Sequence, residues 1–349
     1  MATPELQKAA VVQQGDEPRF EIKFLPLPKL GPTELLVKLS VTGICGTDIA
    51  LASGKLGPCC QILGHEGIGR VVKTGISVDE KSVQIGDRVG VSWVRDSCGD
   101  CAMCLHGEEM RCVKQVHSGR AVDGTLAQYT VVPFRSMMRL PEGLSDEQLA
   151  PIMCAGVTAY RALKICGAVP GQWVVISGAG GGVGAMCIQY ARAMGYRVLA
   201  IDAGNKKGDH CLRQHAEAYL DVFKHAKIAQ AVKDTTDGQG AAAVIVAAGS
   251  SKAYQDAFDM LAPLGTLVCV GIPTPPDKIQ FHPLQFIDNG IRVIGSMVGS
   301  KQDIGQALQF VQRGVVVPDV EVIGLEEVPS LMPRIATGEM TAKYVVKLE

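Results

Sequence analysis

The chain has 349 residues, of which 47% are hydrophobic and 20% charged, enough apolar material for two packed cores and too much for a disordered chain. A formal net charge of −1, with no block of like charges, excludes a polyanion-binding face, so neither nucleic acid nor an anionic membrane is an expected partner. The start MATPELQKAAVVQQGDEPRF has no basic segment followed by an apolar core, and no apolar run reaches spanning length, so a cytoplasmic protein with twelve reduced cysteines is expected.

Residues 8 to about 150 read as short alternating runs, ELLVKLSVTGIC, IGRVVKTG, DRVGVSW and LAQYTVVP, separated by Gly, Pro and Asp. That is antiparallel β texture with long loops. Within it, SCGDCAMCLHGEEMRC places Cys98, Cys101, Cys104 and Cys112 at C-x2-C-x2-C-x7-C spacing. Such a loop wraps four thiolates around one zinc and leaves no open coordination position, so this metal is expected to be structural. A disulfide reading is disfavoured by the compartment and by the C-x2-C spacing.

From about residue 156 strands and helices alternate: WVVISG (173–178), a helix over 184–195, VLAID (198–202), a helix near 208–217 and AVIVAAG (243–249). A helix over 251–261, strands TLVCVG (266–271) and VIGSMVG (293–299), a helix near 301–313 and a last strand YVVKLE follow. Apolar strands alternating with amphipathic helices predict a doubly wound parallel sheet over 156–295, while 1–155, joined by 296–349, form the other domain. GIPTPPD (271–277) is expected to be a loop.

After WVVIS comes GAGGGVG, with Gly180, Gly181, Gly182, Val183 and Gly184 opening a helix, and the next strand ends at Asp202. Gly181 lets the backbone approach a pyrophosphate, helix N–H groups bind its charge, and Gly184 lets the helix lie close on the sheet. Ala179 stands at the first glycine of the usual G-x-G-x-x-G register, so the glycine turn alone does not decide the matter. Asp202, 21 residues after Gly181, does: a carboxylate there accepts the adenosine ribose hydroxyls and repels a 2′-phosphate, favouring NAD(H). Lys206 or Lys207 is placed to reach the ribose or a phosphate.

Cys45 in GICGTD, His65 in GHEGIG and Cys154 in MCAGVTAY mean little singly. Together with GDRVGVSW, the cysteine loop, GAGGGVG and ARAMGYRVLAID, these segments resemble, over essentially the whole chain, the zinc-dependent medium-chain alcohol dehydrogenases, above all the yeast-type branch. The resemblance implies an α/β chain made of a GroES-like β-rich catalytic domain and a Rossmann nucleotide-binding domain. It implies two zinc ions per subunit, the catalytic one held by Cys45, His65 and Cys154 with the fourth position open to water or alcohol. A zinc-bound alkoxide then forms near neutral pH and passes hydride to NAD. By the same resemblance Thr47 relays the alcohol proton, Asp48 orients His65, and Glu66 is able to approach the metal. Val270, Ile272, Ser296 and Val298 lie against the nicotinamide, Lys343 meets the pyrophosphate, and Trp93 and Leu56 wall the substrate. The family habit is a homotetramer or dimer built through edge strands of the nucleotide domains, with a small alcohol or aldehyde as the other partner.

Three positions depart from the pattern. Gly46 stands where a basic residue meets the cofactor phosphates, Ala50 where a histidine passes the proton to solvent, and Leu56 where ethanol-preferring enzymes have a second tryptophan. The last of these leaves room for substrates larger than ethanol. Gly46 and Ala50 also resemble the polyol and threonine dehydrogenase branches, although Cys154 argues against the polyol branch. A polyol or amino-alcohol dehydrogenase, and a non-catalytic NAD-binding redox sensor, remain the alternatives.

Overall fold

The computed structural model describes residues 3–79, 81–273, 277–337 and 343–348; the loop expected over 271–277 lies partly outside them, at 274–276. Two compact units result: residues 1–154, 300–304 and 318–349 in one, and 155–299 with 305–317 in the other.

The first unit is organised by the strand Glu34–Gly43, whose sequence ELLVKLSVTG buries nearly every second residue and several between. It pairs antiparallel with Gly67–Thr74 and Tyr129–Pro133, and its end pairs with Lys343–Lys347. Val320–Gly324, Arg88–Val91 and Met138–Arg139 complete a seven-stranded sheet. Leu35, Leu39, Leu63, Ile68 and Leu126 are fully enclosed against it. Two buried cations tie loops to this core. Arg88 pairs with Asp146 and donates to the carbonyls of Pro141 and Leu144 at 2.7 and 2.8 Å, while the Ser145 hydroxyl caps the short helix Asp146–Leu149. Arg95 donates to the hydroxyls of Ser118 and Thr130 at 3.0 and 2.9 Å and to the Asp123 carbonyl at 3.2 Å. Burial pushes its pKa down to about 10, and these acceptors are what make the buried charge tolerable.

The second unit is a six-stranded parallel sheet in the order Ala218–Asp221, Arg197–Asp202, Trp173–Ser177, Ala241–Val246, Leu261–Cys269, Arg292–Gly295. The chain starts in the middle, walks to one edge, returns and walks to the other, the doubly wound arrangement with its switch point beside Trp173–Ser177. Val175, Leu199, Val244, Tyr254 and Leu267 fill one face. Tyr160, Tyr190 and Phe310 meet at ring separations of 5.6–5.9 Å, and the Tyr190 hydroxyl donates to the Ala307 carbonyl at 3.1 Å.

Element bounds depart from the sequence reading in places with clear causes. The helix expected near 208–217 is Asn205–Arg213, and a strand Ala218–Asp221 and a helix Ile228–Thr235 follow it. The strand escapes a reading by pattern because AYLD is too short to show a period, and it is entered through His215 at φ 71°. The strand expected from 266 begins at Leu261, hidden by Pro263 and Gly265 at an irregularity in its pairing with Ala241–Val246. Residues 305–317, assigned from sequence to the first domain, belong to the second unit because the helix Lys301–Gln312 turns Ala307 and Phe310 towards the tyrosines.

The junction between Trp173–Ser177 and the helix Gly182–Ala193 is so close that a Cβ on Gly184 would collide with the Gly178 carbonyl oxygen and lie 2.6 Å from the Ala179 Cα. Because both obstacles are backbone, Gly184→Ala is expected to lower the stability of this unit by about 2–3 kcal/mol. Urea unfolding followed by circular dichroism checks it, and an unchanged midpoint would show the helix is free to back away.

Candidate metal centres and nucleotide site

Cys45 sits where Glu34–Gly43 gives way to the helix Gly46–Ala52, His65 and Glu66 lie just before Gly67–Thr74, and Cys154 closes the 3-10 turn Ala150–Met153. Three segments distant in sequence thereby bring one ligand atom each of Cys45, His65, Glu66 and Cys154 to within 4.8 Å of one another. The Cys45 and Cys154 sulfurs are 3.9 Å apart. Sulfurs bound at ~2.3 Å to one tetrahedral metal stand about 3.8 Å apart, so the donor set fits zinc.

Asp48 holds this arrangement. Fully buried, its carboxylate accepts the Cys45 N–H at 2.9 Å, the Gly64 N–H at 3.0 Å and His65 Nδ1 at 3.0 Å. A carboxylate acceptor at Nδ1 puts the imidazole proton there and leaves Nε2 as the metal-facing nitrogen. Burial opposes protonation of His65, but the charge of Asp48 and its hydrogen bond outweigh it and raise the pKa well above the usual value. The hydrogen bond with Cys154 holds the Cys45 thiol well below its usual range despite burial, with Lys343 and His65 adding to the effect; the same bond and burial hold Cys154 well above it.

Glu66 is also fully buried; its Oε1 accepts Lys343 Nζ at 2.5 Å, and Oε2 has no hydrogen-bond partner among the described residues. A Cβ on Gly43 would collide with Oε2, so the absence of a side chain at 43 makes room for it. Burial raises the Glu66 pKa to about 7 against the pull of Lys343. Lys343, expected at the cofactor pyrophosphate, has its ammonium in this cluster, donating also to the Ile44 carbonyl at 2.7 Å. Burial works against its charge, but Glu66, Cys45 and Cys154 hold it protonated.

Cys98, Cys101, Cys104 and Cys112 form the second cluster, with sulfurs of Cys98 and Cys104 3.9 Å apart and those of Cys98 and Cys112 3.5 Å apart. These separations again suit one tetrahedral metal and exceed a disulfide bond. The Cys101 N–H points at the Cys98 sulfur at 3.4 Å and the Lys114 N–H at the Cys112 sulfur at 3.3 Å, and hydrogen bonds lower the Cys112 thiol to about 7. The Cys98 thiol, by contrast, is pushed up to about 12, chiefly by its hydrogen bond with Asp100.

In the second unit the Asp202 carboxylate accepts the N–H groups of Gly180 and Ala203, each at 2.8 Å, and Lys207 Nζ at 3.0 Å. Gly181 caps the helix, and a Cβ there would meet nothing nearer than the Gly178 carbonyl oxygen at 3.5 Å, which leaves space outside the turn. Val270 and Ile272 follow the strand Leu261–Cys269, and Ser296 and Val298 follow Arg292–Gly295, all beyond carboxyl ends of parallel strands. The Ser296 hydroxyl is buried without a partner among the described residues.

Thr47 is half-buried on the first turn of the helix Gly46–Ala52, and Leu56 lies past that helix at Gly54–Gly57. The buried Trp93 meets His65 edge to face at 5.2 Å and stacks on His117 at 4.5 Å. Sequence reading misses His117, which stands in the unexceptional stretch QVHSGR and comes to the site only through strand pairing.

Fold and ligand sets together define a zinc-binding dehydrogenase, and comparison agrees. Residues 31–142 match the alcohol dehydrogenase GroES-like domain and residues 182–313 the zinc-binding dehydrogenase family. The chain is 37% identical over 347 residues to alcohol dehydrogenase 1 of Neurospora crassa, covering 98% of this chain and 97% of that one. It is 39% identical over 345 residues to an alcohol dehydrogenase of Geobacillus stearothermophilus, covering 98% and 99%. The solved alcohol dehydrogenase of Aeropyrum pernix superposes with a TM-score of 0.87 at 27% identity, over 97% of this chain and 99% of that one. The chain belongs to the zinc-dependent medium-chain alcohol dehydrogenase family, oxidoreductases acting on CH–OH groups. No described helix is long and apolar enough to cross a membrane.

Cys104→Ser removes one donor from a cluster that has no spare. Zinc content, measured by plasma mass spectrometry, is expected to fall by about one ion per chain with a drop of several degrees in the thermal midpoint. Unchanged zinc in the variant would contradict a four-thiolate site.

Proposed function

We propose that this chain catalyses the reversible, NAD-linked oxidation of a primary or secondary alcohol to the aldehyde or ketone, and that it accepts alcohols larger than ethanol. The carbinol carbon gives a hydride to NAD+ and the hydroxyl gives a proton, so that the products are the carbonyl compound, NADH and H+. The convergence of Cys45, His65 and Cys154, with Glu66 as an adjustable fourth donor, carries this reading. Zinc held there lowers the pKa of an alcohol hydroxyl and so eases hydride departure from its carbon. Asp48 keeps the His65 tautomer, Lys343 holds Glu66 by one oxygen and leaves the other free for the metal, and the Thr47 hydroxyl takes the alcohol proton. Ala50 has no group to carry the proton onward, so with cofactor bound Thr47 would have to hand it to a cofactor hydroxyl or to water rather than to a side chain at position 50.

Asp202 takes the adenosine ribose hydroxyls with Lys207 beside it, the turn Gly180, Gly181, Gly182, Val183 and Gly184 cradles the pyrophosphate, and Val270, Ile272, Ser296 and Val298 support the nicotinamide. Trp93 and Leu56 wall the substrate, and a leucine in place of an indole supports the larger pocket. Reaction in a reducing cytosol suits two clusters of thiolates. Assembly through the edge strand Arg292–Gly295 is supported by Val293 and the neighbouring Phe281, Leu284 and Ile287, all exposed and apolar.

Initial rates of NAD+ reduction across ethanol, longer primary, secondary, aromatic and polyhydroxy alcohols test the reading. Turnover that rises from ethanol to bulkier alcohols is the expected result; ethanol as best substrate would refute the enlarged pocket, and a polyol as best would favour the alternative branch.

Two variants probe the cofactor. Asp202→Asn keeps the shape, removes the charge that repels a 2′-phosphate, and frees Lys207 to pair with it, so the NAD+ over NADP+ ratio of kcat/KM is expected to fall about a hundredfold. At Gly46 nothing lies within 4 Å of an added Cβ, so a side chain can leave the backbone there without a clash. Gly46→Arg is expected to tighten NADH binding several-fold by fluorescence titration, and an unchanged Kd would exclude the phosphate contact.

A further inference from the structure

Beyond Trp93 lies a polar atom that the protein itself leaves unanswered. His117 Nε2 is buried and has no hydrogen-bond partner among the described residues. Buried polar atoms are nearly always paired, so an unpaired one next to a reaction centre points to a partner that arrives from outside. The imidazole is firmly placed: Val116–His117 pairs with Val94–Asp96, the Ser118 N–H donates to the Trp93 carbonyl at 3.0 Å, and the ring stacks on Trp93 at 4.5 Å. Two ring contacts therefore lead from the ligand His65 through Trp93 to His117.

A cation accompanies it. The His117 carbonyl accepts the N–H groups of Arg120, Ala121 and Val122 at 3.4, 3.0 and 3.3 Å, and this tight turn carries the Arg120 side chain. The guanidinium has no hydrogen-bond or ion-pair partner among the described residues, and one of its nitrogens lies 3.9 Å from where a Gly57 Cβ would be, beside Leu56. It is close enough to His117 for its charge, after burial, to help keep the imidazole neutral. An imidazole N–H and an unpaired guanidinium within electrostatic range of each other are the kinds of donor that the two oxygens of a carboxylate accept.

We propose that His117 and Arg120 select, among alcohols, those carrying a carboxylate a few carbons from the reacting hydroxyl, so that the substrate is an ω-hydroxy acid and the product the corresponding semialdehyde. This rests on the dehydrogenase reading above. His117, in its Nε2–H tautomer, donates to one carboxylate oxygen and Arg120 to the other, while the hydroxyl at the far end faces Cys45, His65 and Cys154. Both residues bind substrate and take no part in hydride or proton transfer, so their effect belongs in KM.

The test uses the full-length, zinc-loaded enzyme with NAD+ and three substrates of equal chain length: 5-hydroxypentanoate, pentan-1-ol and pentane-1,5-diol. The wild type is expected to favour the hydroxy acid in kcat/KM, with a preference that weakens as salt is added. Arg120→Gln and His117→Leu are each expected to cut the ratio of hydroxy acid to alkanol about tenfold, through KM rather than kcat. Arg120 is exposed, so its variant keeps the test open if His117→Leu folds poorly. A wild type that prefers the alkanol or the diol, or a ratio untouched by both substitutions, overturns the proposal. Absence of turnover with every alcohol, charged or not, overturns the dehydrogenase reading itself and this proposal with it.

Discussion

The buried carboxylate of Asp48 is the constraint from which the Cys45, His65, Glu66 and Cys154 cluster follows. An ion enclosed in protein is tolerable only when its lone pairs are answered, and three donors from two segments answer this one: the Cys45 N–H, the Gly64 N–H and His65 Nδ1. The bonds that satisfy the charge also fix the spacing between the helix start and the following loop, and they set the nitrogen that His65 offers to a metal. Structure and ligand orientation are thus one requirement here.

A second buried pair works beside it. Lys343 comes from the last strand, which pairs with the end of Glu34–Gly43, so formation of the sheet brings an ammonium next to Glu66. One carboxylate oxygen is engaged and the other is left without a partner among the described residues. The cation that permits burial of Glu66 also restrains it, while the carboxylate pKa near 7 keeps it close to a change of charge at neutral pH. The cysteine loop differs in kind: its four donors lie within sixteen residues, so metal is able to organise it with little help from the rest of the fold.

Local signals are strongest where chemistry and sequence spacing coincide. Four cysteines in a short loop, a glycine turn between a strand and a helix, and an aspartate at the end of the next strand are each legible because backbone geometry over a few residues dictates them. The strand Ala218–Asp221 and the early part of Leu261–Cys269 are illegible because short or proline-containing runs carry no period, and sheet pairing alone makes them strands. Family likeness points Lys343 towards the cofactor, yet its immediate neighbour is a carboxylate 277 positions away in sequence.

Motif spacing and strand–turn–helix order are enough to yield the family, the two-unit architecture, the residue types proposed as metal donors and the carboxylate proposed to favour NAD. Packing in three dimensions settles which charges neutralise one another and which polar atoms go unanswered: the Glu66–Lys343 pair, the three-way role of Asp48, and His117 stacked on Trp93 with Nε2 unpaired. The physical reason is that burial and partner geometry are properties of packed neighbours, and a one-dimensional pattern carries no record of what lies across a sheet.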